Sequence, residues 1–275
     1  MTDAPTGPDL LIDDRDGVRR ITLNRADAAN SITPDQRDGV IASLEEASGR
    51  LDIRVVVLGA AGQRHFCTGA DLRASRPMPP KPEGAPDRPV GQIARVIQEG
   101  AQRLMAAVLD CEKPVVAAVN GTAAGIGAHL AFCCDMVVAA EHAKFVEIFV
   151  RRGLVPDGAG AWLLPRIIGI QKTKELFFLG DDLPAADAAT LGLVNRVVPA
   201  DRLEAEVDAL AARLAASPTV AISLAKRLVN SSLDVDRATA FRDEASAQER
   251  NMSTHDANEG VQSFVERRDP DYLGW

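Results

Sequence analysis

Aromatic residues are scarce in this chain of 275 residues: they make up 4% of it, with a single tyrosine. The chain also lacks a block of lysines and arginines, and its formal net charge is -8. Such a charge disfavours nucleic acid and anionic membrane surfaces as partners. No apolar run reaches the roughly 18 residues that a membrane span needs, and the N-terminus lacks a basic segment followed by an apolar one. We therefore expect a soluble, cytoplasmic protein.

Metal-binding cysteine patterns are also missing. The four cysteines, Cys67, Cys111, Cys133 and Cys134, do not have the paired spacing of a metal site, and the last two are sequence neighbours. We expect buried, reduced thiols and no bound metal. Hydrophobic residues make up 46% of the chain and charged residues 25%, which is typical of a globular protein with a substantial core.

Several local signals predict secondary structure. Asp16-Gly17 lies between two apolar segments and predicts a β-hairpin. Thr33, Pro34 and Gln36 form the pattern of a helix start, and this helix is expected to run to about Ser48. Residues 53–60, rich in β-branched side chains, predict a buried strand.

The rest of the chain is predicted to alternate between strands, loops and helices. Six prolines between residues 76 and 89 predict a mobile surface loop without regular elements. A helix is expected from about 91 to 109, followed by a buried strand in "KPVVAAVN". Strand, loop and helix recur in this order, which indicates a largely parallel sheet with helical crossovers. From about Asp201 onward the pattern is helical throughout.

A glycine-bearing loop follows the second buried strand, in "NGTAAGIGAHLA", residues 120–131. Its G-x-x-x-G-x-G spacing differs from both common nucleotide-binding patterns, so it predicts either close packing of backbone or a different anion site. A second loop of similar composition, "HFCTGADL" at 65–72, also follows a buried strand. Two such loops can direct two backbone N–H groups at one oxygen, which is the design of an oxyanion hole.

These motifs together resemble the crotonase, or enoyl-CoA hydratase/isomerase, superfamily. The likeness extends over nearly the whole chain, through "ITLNR", "HFCTGADL", "KPVVAAVNGTAAGIGAHLAFCCDMVVA", "RRGLVPDGAGAWLLPRIIG", "ATLGLVNRVVP" and "EGVQSFVERRDP". It implies an α/β fold in which residues 1–200 form a spiral of repeated ββα units. Residues 201–275 would form a helical region that builds a homotrimer or a dimer of trimers. The implied substrates are acyl-CoA thioesters, with no cofactor beyond the coenzyme A of the substrate.

The resemblance also implies roles for individual residues. The backbone N–H groups of Ala70 and Ile126 would hold the thioester oxygen and stabilise an enolate. Contacts with the acyl-CoA would come from residues that match the family's motifs, namely Arg25, Ala28, Cys67, Asp71, Leu72, Gly125, Phe149, Phe264 and Arg267. Of these, Phe264 and Arg267 would reach the coenzyme A site of a neighbouring subunit. The acyl group itself cannot be read from these motifs.

The acid and base depart from the family pattern. The resembling hydratases use two glutamates, and these positions are held here by His129 and Phe149. Asp157 is the remaining candidate, because some family members carry a carboxylate at this position. One carboxylate can take a proton from one carbon and return it to another, which suits migration of a double bond better than addition of water. The alternative role for Asp157 is to cap the following helix.

Two further residues are candidates for the chemistry. His129 is either an active base or donor, or a hydrogen-bonded core histidine. Glu147 shares a face with Phe149 if that segment is extended, so it either points into the pocket or pairs with Arg151 or Arg152. Isomerisation by Asp157 is the first hypothesis, and hydration that uses Asp157, Glu147 or His129 in other roles is the second. A catalytically silent acyl-CoA binder is the alternative from another class.

Overall fold

A computed structural model describes residues 8–74, 81–87 and 89–275. Ten strands are found in these residues: β1 Leu10–Arg15, β2 Val18–Leu23, β3 Val55–Ala60, β4 His65–Cys67, β5 Val115–Val119, β6 Thr122–Ala124, β7 Met136–Ala140, β8 Lys144–Val146, β9 Asp182–Pro184 and β10 Arg196–Val198. The α-helices there are α1 Pro34–Gly49, α2 Gln92–Ile97, α3 Arg103–Leu109, α4 Ile126–Cys133, α5 Gly160–Leu179, α6 Ala185–Thr190, α7 Leu203–Ala215, α8 Thr219–Ser231, α9 Arg237–Asn251 and α10 His255–Glu266.

The strands form two sheets. The larger has the order β1-β2-β3-β5-β7-β10 and the smaller β4-β6-β8-β9. Only the β1–β2 and β8–β9 pairs are antiparallel; the other pairs between these strands are parallel. Three successive units, which begin at β3, β5 and β7, each give one strand to the larger sheet and the next to the smaller sheet before a helix. The repeated ββα units expected from the sequence are therefore present.

The local signals at the start of the chain are confirmed. Asp16 and Gly17 have φ values of 51° and 78°, as the tight turn of the β1–β2 hairpin requires. Thr33 caps α1: its side chain accepts from the N–H of Gln36, while the Gln36 side chain accepts from the N–H of Thr33. The strand expected at 53–60 begins at Val55.

The helix expected from 91 to 109 is interrupted. Between α2 and α3, residues Gln98–Gln102 form a π-helical turn around the buried Gly100. A Cβ at Gly100 would lie 2.8 Å from a guanidinium nitrogen of Arg37. The Arg37 side chain, from α1, therefore occupies the space beside this turn. The proline-rich segment before it falls partly on residues 76–80 and 88, which are outside the described residues. Residues 81–87 contain turns but no helix or strand, and their mobility stays a prediction.

The core lies between the sheets and the helices packed on them. The first four residues of β3, most of β5 and β7 and the whole of α4 are buried. All four cysteines are free and buried, as expected. Gly127 allows α4 to approach β4, because a Cβ there would lie 2.1 Å from the carbonyl oxygen of Cys67.

The chain after β10 is helical. α7 packs against β3, β5 and β7, so it completes the core, whereas α8 packs on α9. The division at residue 200 stays a prediction. None of the described helices is by itself long and apolar enough to cross a membrane, although the bent pair Ala200–Ala215 and Thr219–Ser231 passes that test by length and composition together.

Candidate active site

The site lies where three parallel strands of the smaller sheet end. The loops that follow β4, β6 and β8 meet at this edge, because β6 pairs with both of the other strands. A cavity of about 340 Å³ opens beside them. Its walls are formed by the following residues: Ile32, Thr33, Pro34, Arg37, Thr68, Gly69, Ala70, Asp71, Leu72, Ala74, Val96, Ile97, Ala101, Gly125, Ile126, Ile148, Phe149, Arg152, Leu154 and Asp157.

The two residues expected to donate backbone N–H groups, Ala70 and Ile126, both line this cavity. Gly69 and Gly125 have φ values of 100° and 54°, conformations that favour glycine, and each precedes one of the residues expected to donate. A Cβ at Gly69 would lie 3.2 Å from the Ala124 oxygen and 3.9 Å from the Ile126 nitrogen, so the loops are in close contact. The N–H groups of Ala70 and Ile126 make no hydrogen bond to another group in the described part of the chain. The N–H of Ile126 is also the first of α4, where helices leave donors free.

Asp157 is in the cavity wall, in the loop before α5. The helix begins at Gly160 and its N-cap position is Ala159, with no side-chain cap. The capping role considered for Asp157 is therefore wrong. Its Oδ1 atom is buried and has no hydrogen-bond partner among the described residues. Burial raises the pKa of Asp157 above its ordinary value, and the nearby His129 offsets part of this effect.

Asp71 is the other carboxylate in the cavity wall, and arginines hold it. The Arg73 side chain and backbone N–H donate to it, and Arg25 donates from 3.0 Å. These bonds, those of Arg73 first, hold the pKa of Asp71 well below its usual range. Arg25 also donates to the carbonyl oxygen of Ser31. The structure therefore places Arg25 in an internal network that shapes the loop after β4.

His129 and Glu147 form a buried pair behind the cavity. Nε2 of His129 lies 3.0 Å from Oε2 of Glu147, and the exposed fractions of these residues are 0% and 4%. Neither residue lines the cavity. The pairing of Glu147 with Arg151 or Arg152, one of the two alternatives considered, is wrong, because the Glu147 carboxyl lies against His129 and Arg151 pairs with Asp182. The extended segment is not observed either, since β8 ends at Val146 and Phe149 is helical in backbone conformation.

Of the remaining residues predicted to contact acyl-CoA, some line the cavity and others do not. Leu72, Gly125 and Phe149 line the cavity, and the Phe149 ring stacks on His129 with centroids 5.3 Å apart. Cys67 is fully buried beneath the first loop, and Ala28 lies in the short 3-10 turn after Arg25. Phe264 and Arg267 are at the end of α10 and do not line the cavity of this chain; Phe264 is 85% exposed.

Sequence reasoning missed two cations of the cavity wall, Arg37 and Arg152. A signal for Arg37 was present, because it lies one turn after Thr33 and Pro34 on the helix start. Arg152 was considered only as a partner for Glu147. In residues 8–74, 81–87 and 89–275, no group of three or more His, Cys, Asp or Glu side chains could hold a metal ion.

Comparisons with known proteins agree with this geometry. Residues 13–274 match the family model described as enoyl-CoA hydratase/isomerase. The chain is 35% identical to the 1,2-epoxyphenylacetyl-CoA isomerase of Escherichia coli, over 94% of this chain and 95% of that protein. It is 30% identical to the short-chain-enoyl-CoA hydratase of Clostridium acetobutylicum, over 94% and 95%. The crystal structure of an enoyl-CoA hydratase from Bacillus anthracis superposes with a TM-score of 0.87, at 32% identity, over 98% of this chain and 100% of that one.

The family match extends across the described core and the C-terminal helices, and the structural likeness confirms the crotonase-like α/β fold class. The two free backbone donors lie in the loops from which the resemblance assigned them. The chain is therefore an enzyme of the enoyl-CoA hydratase/isomerase family.

Proposed function

We propose that this enzyme moves the double bond of an enoyl-CoA thioester, with Asp157 as the general base and the N–H groups of Ala70 and Ile126 as the oxyanion hole. The observation that carries the proposal is the contrast between the two cavity carboxylates. Two arginines engage Asp71, whereas Oδ1 of Asp157 has no partner in the described residues and burial raises its pKa. Asp157 is thus the carboxylate available to accept a proton.

The step needs one base. Asp157 removes a proton from C2 of a 3-enoyl thioester, the C2–H electron pair passes into the dienolate, and the thioester oxygen carries the negative charge. The two backbone donors stabilise that oxygen. The same carboxyl group then returns the proton to C4, which gives the 2-enoyl thioester. No second acid is required, and no cofactor beyond the coenzyme A of the substrate.

Hydration is the second candidate, because one relative named above is a hydratase. It needs a group that activates water and another that protonates carbon. The positions of the two glutamates used by resembling hydratases hold His129 and Phe149, and neither offers a carboxylate to the cavity. Ile126 and Phe149 make this wall apolar. These features support isomerisation over hydration.

The assembly is part of the proposal. We propose a homotrimer or a dimer of trimers, in which Phe264 and Arg267 of one chain contact the coenzyme A bound by its neighbour. Phe264 is almost fully exposed in the single chain, which supports a role in a contact between chains. Nucleic acid and membranes are not partners in this proposal.

The test is to incubate the enzyme in deuterated water with 2-enoyl- and 3-enoyl-CoA thioesters, and to follow mass and double-bond position. Migration of the double bond without added water is the expected result, with deuterium at C4 in proportion to how far the Asp157 carboxyl exchanges its proton with solvent before the return step. Asp157→Asn should reduce it by at least about 10²-fold while acyl-CoA binding is retained. Asp181→Asn, at an exposed position, is the matched control. A gain of one water would establish the hydratase instead, and binding without any turnover would establish the silent binder.

A further inference from the structure

The side chain of Ile126 forms part of the cavity wall between the start of α4 and the loop that carries Asp157. Ile126 is the first residue of α4, lines the cavity and is 8% exposed. A Cβ at Gly158, the residue after Asp157, would lie 3.2 Å from Cγ2 of Ile126 and 3.6 Å from its Cβ. The Ile126 side chain therefore extends from its own backbone to the backbone beside Asp157.

This side chain has little freedom to move. A branched Cβ leaves isoleucine one strongly preferred χ1 rotamer in a helix. Gly158, against which Ile126 packs, is itself packed on His129, because a Cβ at Gly158 would lie 3.1 Å from Nδ1 of that ring. Gly158 and His129 are both buried. Because closely packed interiors yield only at a cost in free energy, the Ile126 side chain fills a fixed volume.

The residue before Ile126 is also enclosed by apolar side chains. A Cβ at Gly125 would lie 3.3 Å from Cγ2 of Ile148 and 3.6 Å from Cζ of Phe149. Both of these residues line the cavity. Apolar groups from α4 and from the loop after β8 therefore lie close to the Ile126 N–H.

The proposed reaction determines which substrate atoms pass Ile126. The thioester oxygen accepts from the N–H groups of Ala70 and Ile126, and Asp157 takes the proton from C2. C2 is bonded to the carbon that carries this oxygen, so it lies within about 6 Å of the Ile126 nitrogen. Because the Ile126 side chain also extends from that nitrogen toward the Asp157 loop, C2 must pass beside it.

We propose that Ile126 is a specificity-determining residue, which restricts the enzyme to 3-enoyl thioesters with an unbranched C2. The inference rests on the proposed function, since it uses the position of C2 in that reaction. A methyl group at C2 would need the volume that the Ile126 side chain occupies. A methyl group farther along the acyl chain would not meet this residue.

The test compares kcat/KM for isomerisation of 3-hexenoyl-CoA and of 2-methyl-3-hexenoyl-CoA, the second in both configurations at C2. We expect the unmodified enzyme to favour the unbranched substrate by about 10- to 200-fold, the range that one carbon makes in an apolar pocket. Ile126→Ala keeps the backbone N–H but removes the side chain beyond Cβ, and should reduce this preference by at least about tenfold. Equal kcat/KM values for the two substrates in the unmodified enzyme would overturn the proposal, whether or not a variant folds.

Two controls separate this effect from a general loosening of the cavity. Ile12→Ala makes the same change at a 49% exposed position on β1, and should keep the preference of the unmodified enzyme. The substrate 5-methyl-3-hexenoyl-CoA carries its methyl group away from C2, and Ile126→Ala should not improve it relative to 3-hexenoyl-CoA. Because each result is a ratio, partial loss of folded enzyme does not affect it. An unchanged preference in Ile126→Ala, or an equal gain for both branched substrates, would overturn the proposal.

A binding measurement distinguishes failure of this proposal from failure of the proposed function. Hexanoyl-CoA and 2-methylhexanoyl-CoA have no double bond to move, so calorimetry of their binding measures the fit at C2 without turnover. If 3-hexenoyl-CoA is not isomerised, the proposed function fails. A preference of at least about tenfold for hexanoyl-CoA, lost in Ile126→Ala, would still support the restriction at C2. If isomerisation occurs but neither pair of thioesters shows a preference, the isomerase mechanism stands and the role of Ile126 in substrate choice is wrong.

Discussion

The donor role proposed for Ala70 depends on its backbone, not on its side chain. Replacing Ala70 with proline deletes the N–H, and we expect kcat to fall by about 10²- to 10³-fold, the usual cost of losing one oxyanion-hole donor. Ala70→Gly keeps the N–H and is the control, for which we expect a change of less than about tenfold. Steady-state isomerisation rates measure the effect, and thermal unfolding together with acyl-CoA binding shows whether the variant is intact. A folded Ala70→Pro enzyme with full activity would remove this donor from the mechanism.

At the residue level, features set by the local backbone were easier to predict from the sequence than hydrogen bonds between side chains that are distant in sequence. The two glycine-bearing segments could be located from the local sequence, and the resemblance then assigned the donor role within them to Ala70 and Ile126. The His129–Glu147 bond could not be located in this way, because the residues are 18 positions apart and meet only when β8 pairs with β6 beside α4. The arginines considered as partners of Glu147 were its neighbours in sequence, whereas its partner His129 lies on another element.

The residue that caps helix α1 is also part of the cavity wall. Thr33 both caps α1 and lines the cavity. Thr33→Ala removes the acceptor for the N–H of Gln36, and we expect the free energy of unfolding to fall by about 1 kcal/mol, the typical cost of losing such a cap. Thr33→Ser retains the hydroxyl and should unfold near the original midpoint. Urea denaturation followed by circular dichroism measures both, and equal stabilities of Thr33→Ala and the original enzyme would show that the cap contributes nothing.

At the element level, the predicted features were those with a signal confined to a few residues. The hairpin turn and the capping box each need two to four particular residues, and both are present as expected. The strands β4, β6 and β8 have three residues each, too few to show a period of two, yet they bring the site together. The interruption of the helix at Gln98–Gln102 also had no local signal, and the buried Gly100 in it packs beside Arg37 of another helix.

At the scale of the whole molecule, the C-terminal helices expose apolar side chains that a single chain leaves in water. Val229 on α8 is 69% exposed, Phe241 on α9 62% and Phe264 on α10 85%. Exposed apolar side chains on neighbouring helices are a common feature of contact surfaces between proteins. The resemblance predicted this region as the site of assembly. Sequence patterns identify an apolar face more readily than the partner that covers it.

Assembly and substrate binding should therefore be linked. The double variant Val229→Glu/Phe241→Glu adds negative charge to α8 and α9 but leaves Phe264 and Arg267 unchanged. We expect the original enzyme to sediment at three or six times the mass of one chain and the double variant at a lower mass. We also expect the double variant to bind acyl-CoA at least about tenfold more weakly, because in the proposed assembly the neighbour's helix end would no longer reach the coenzyme A. Leu51→Glu, at a 65% exposed position far from these helices in sequence, is the control and should change neither property. A double variant that dissociates but binds with full affinity would show that each chain holds its substrate alone, and an original enzyme that sediments as a single chain would contradict the assembly itself.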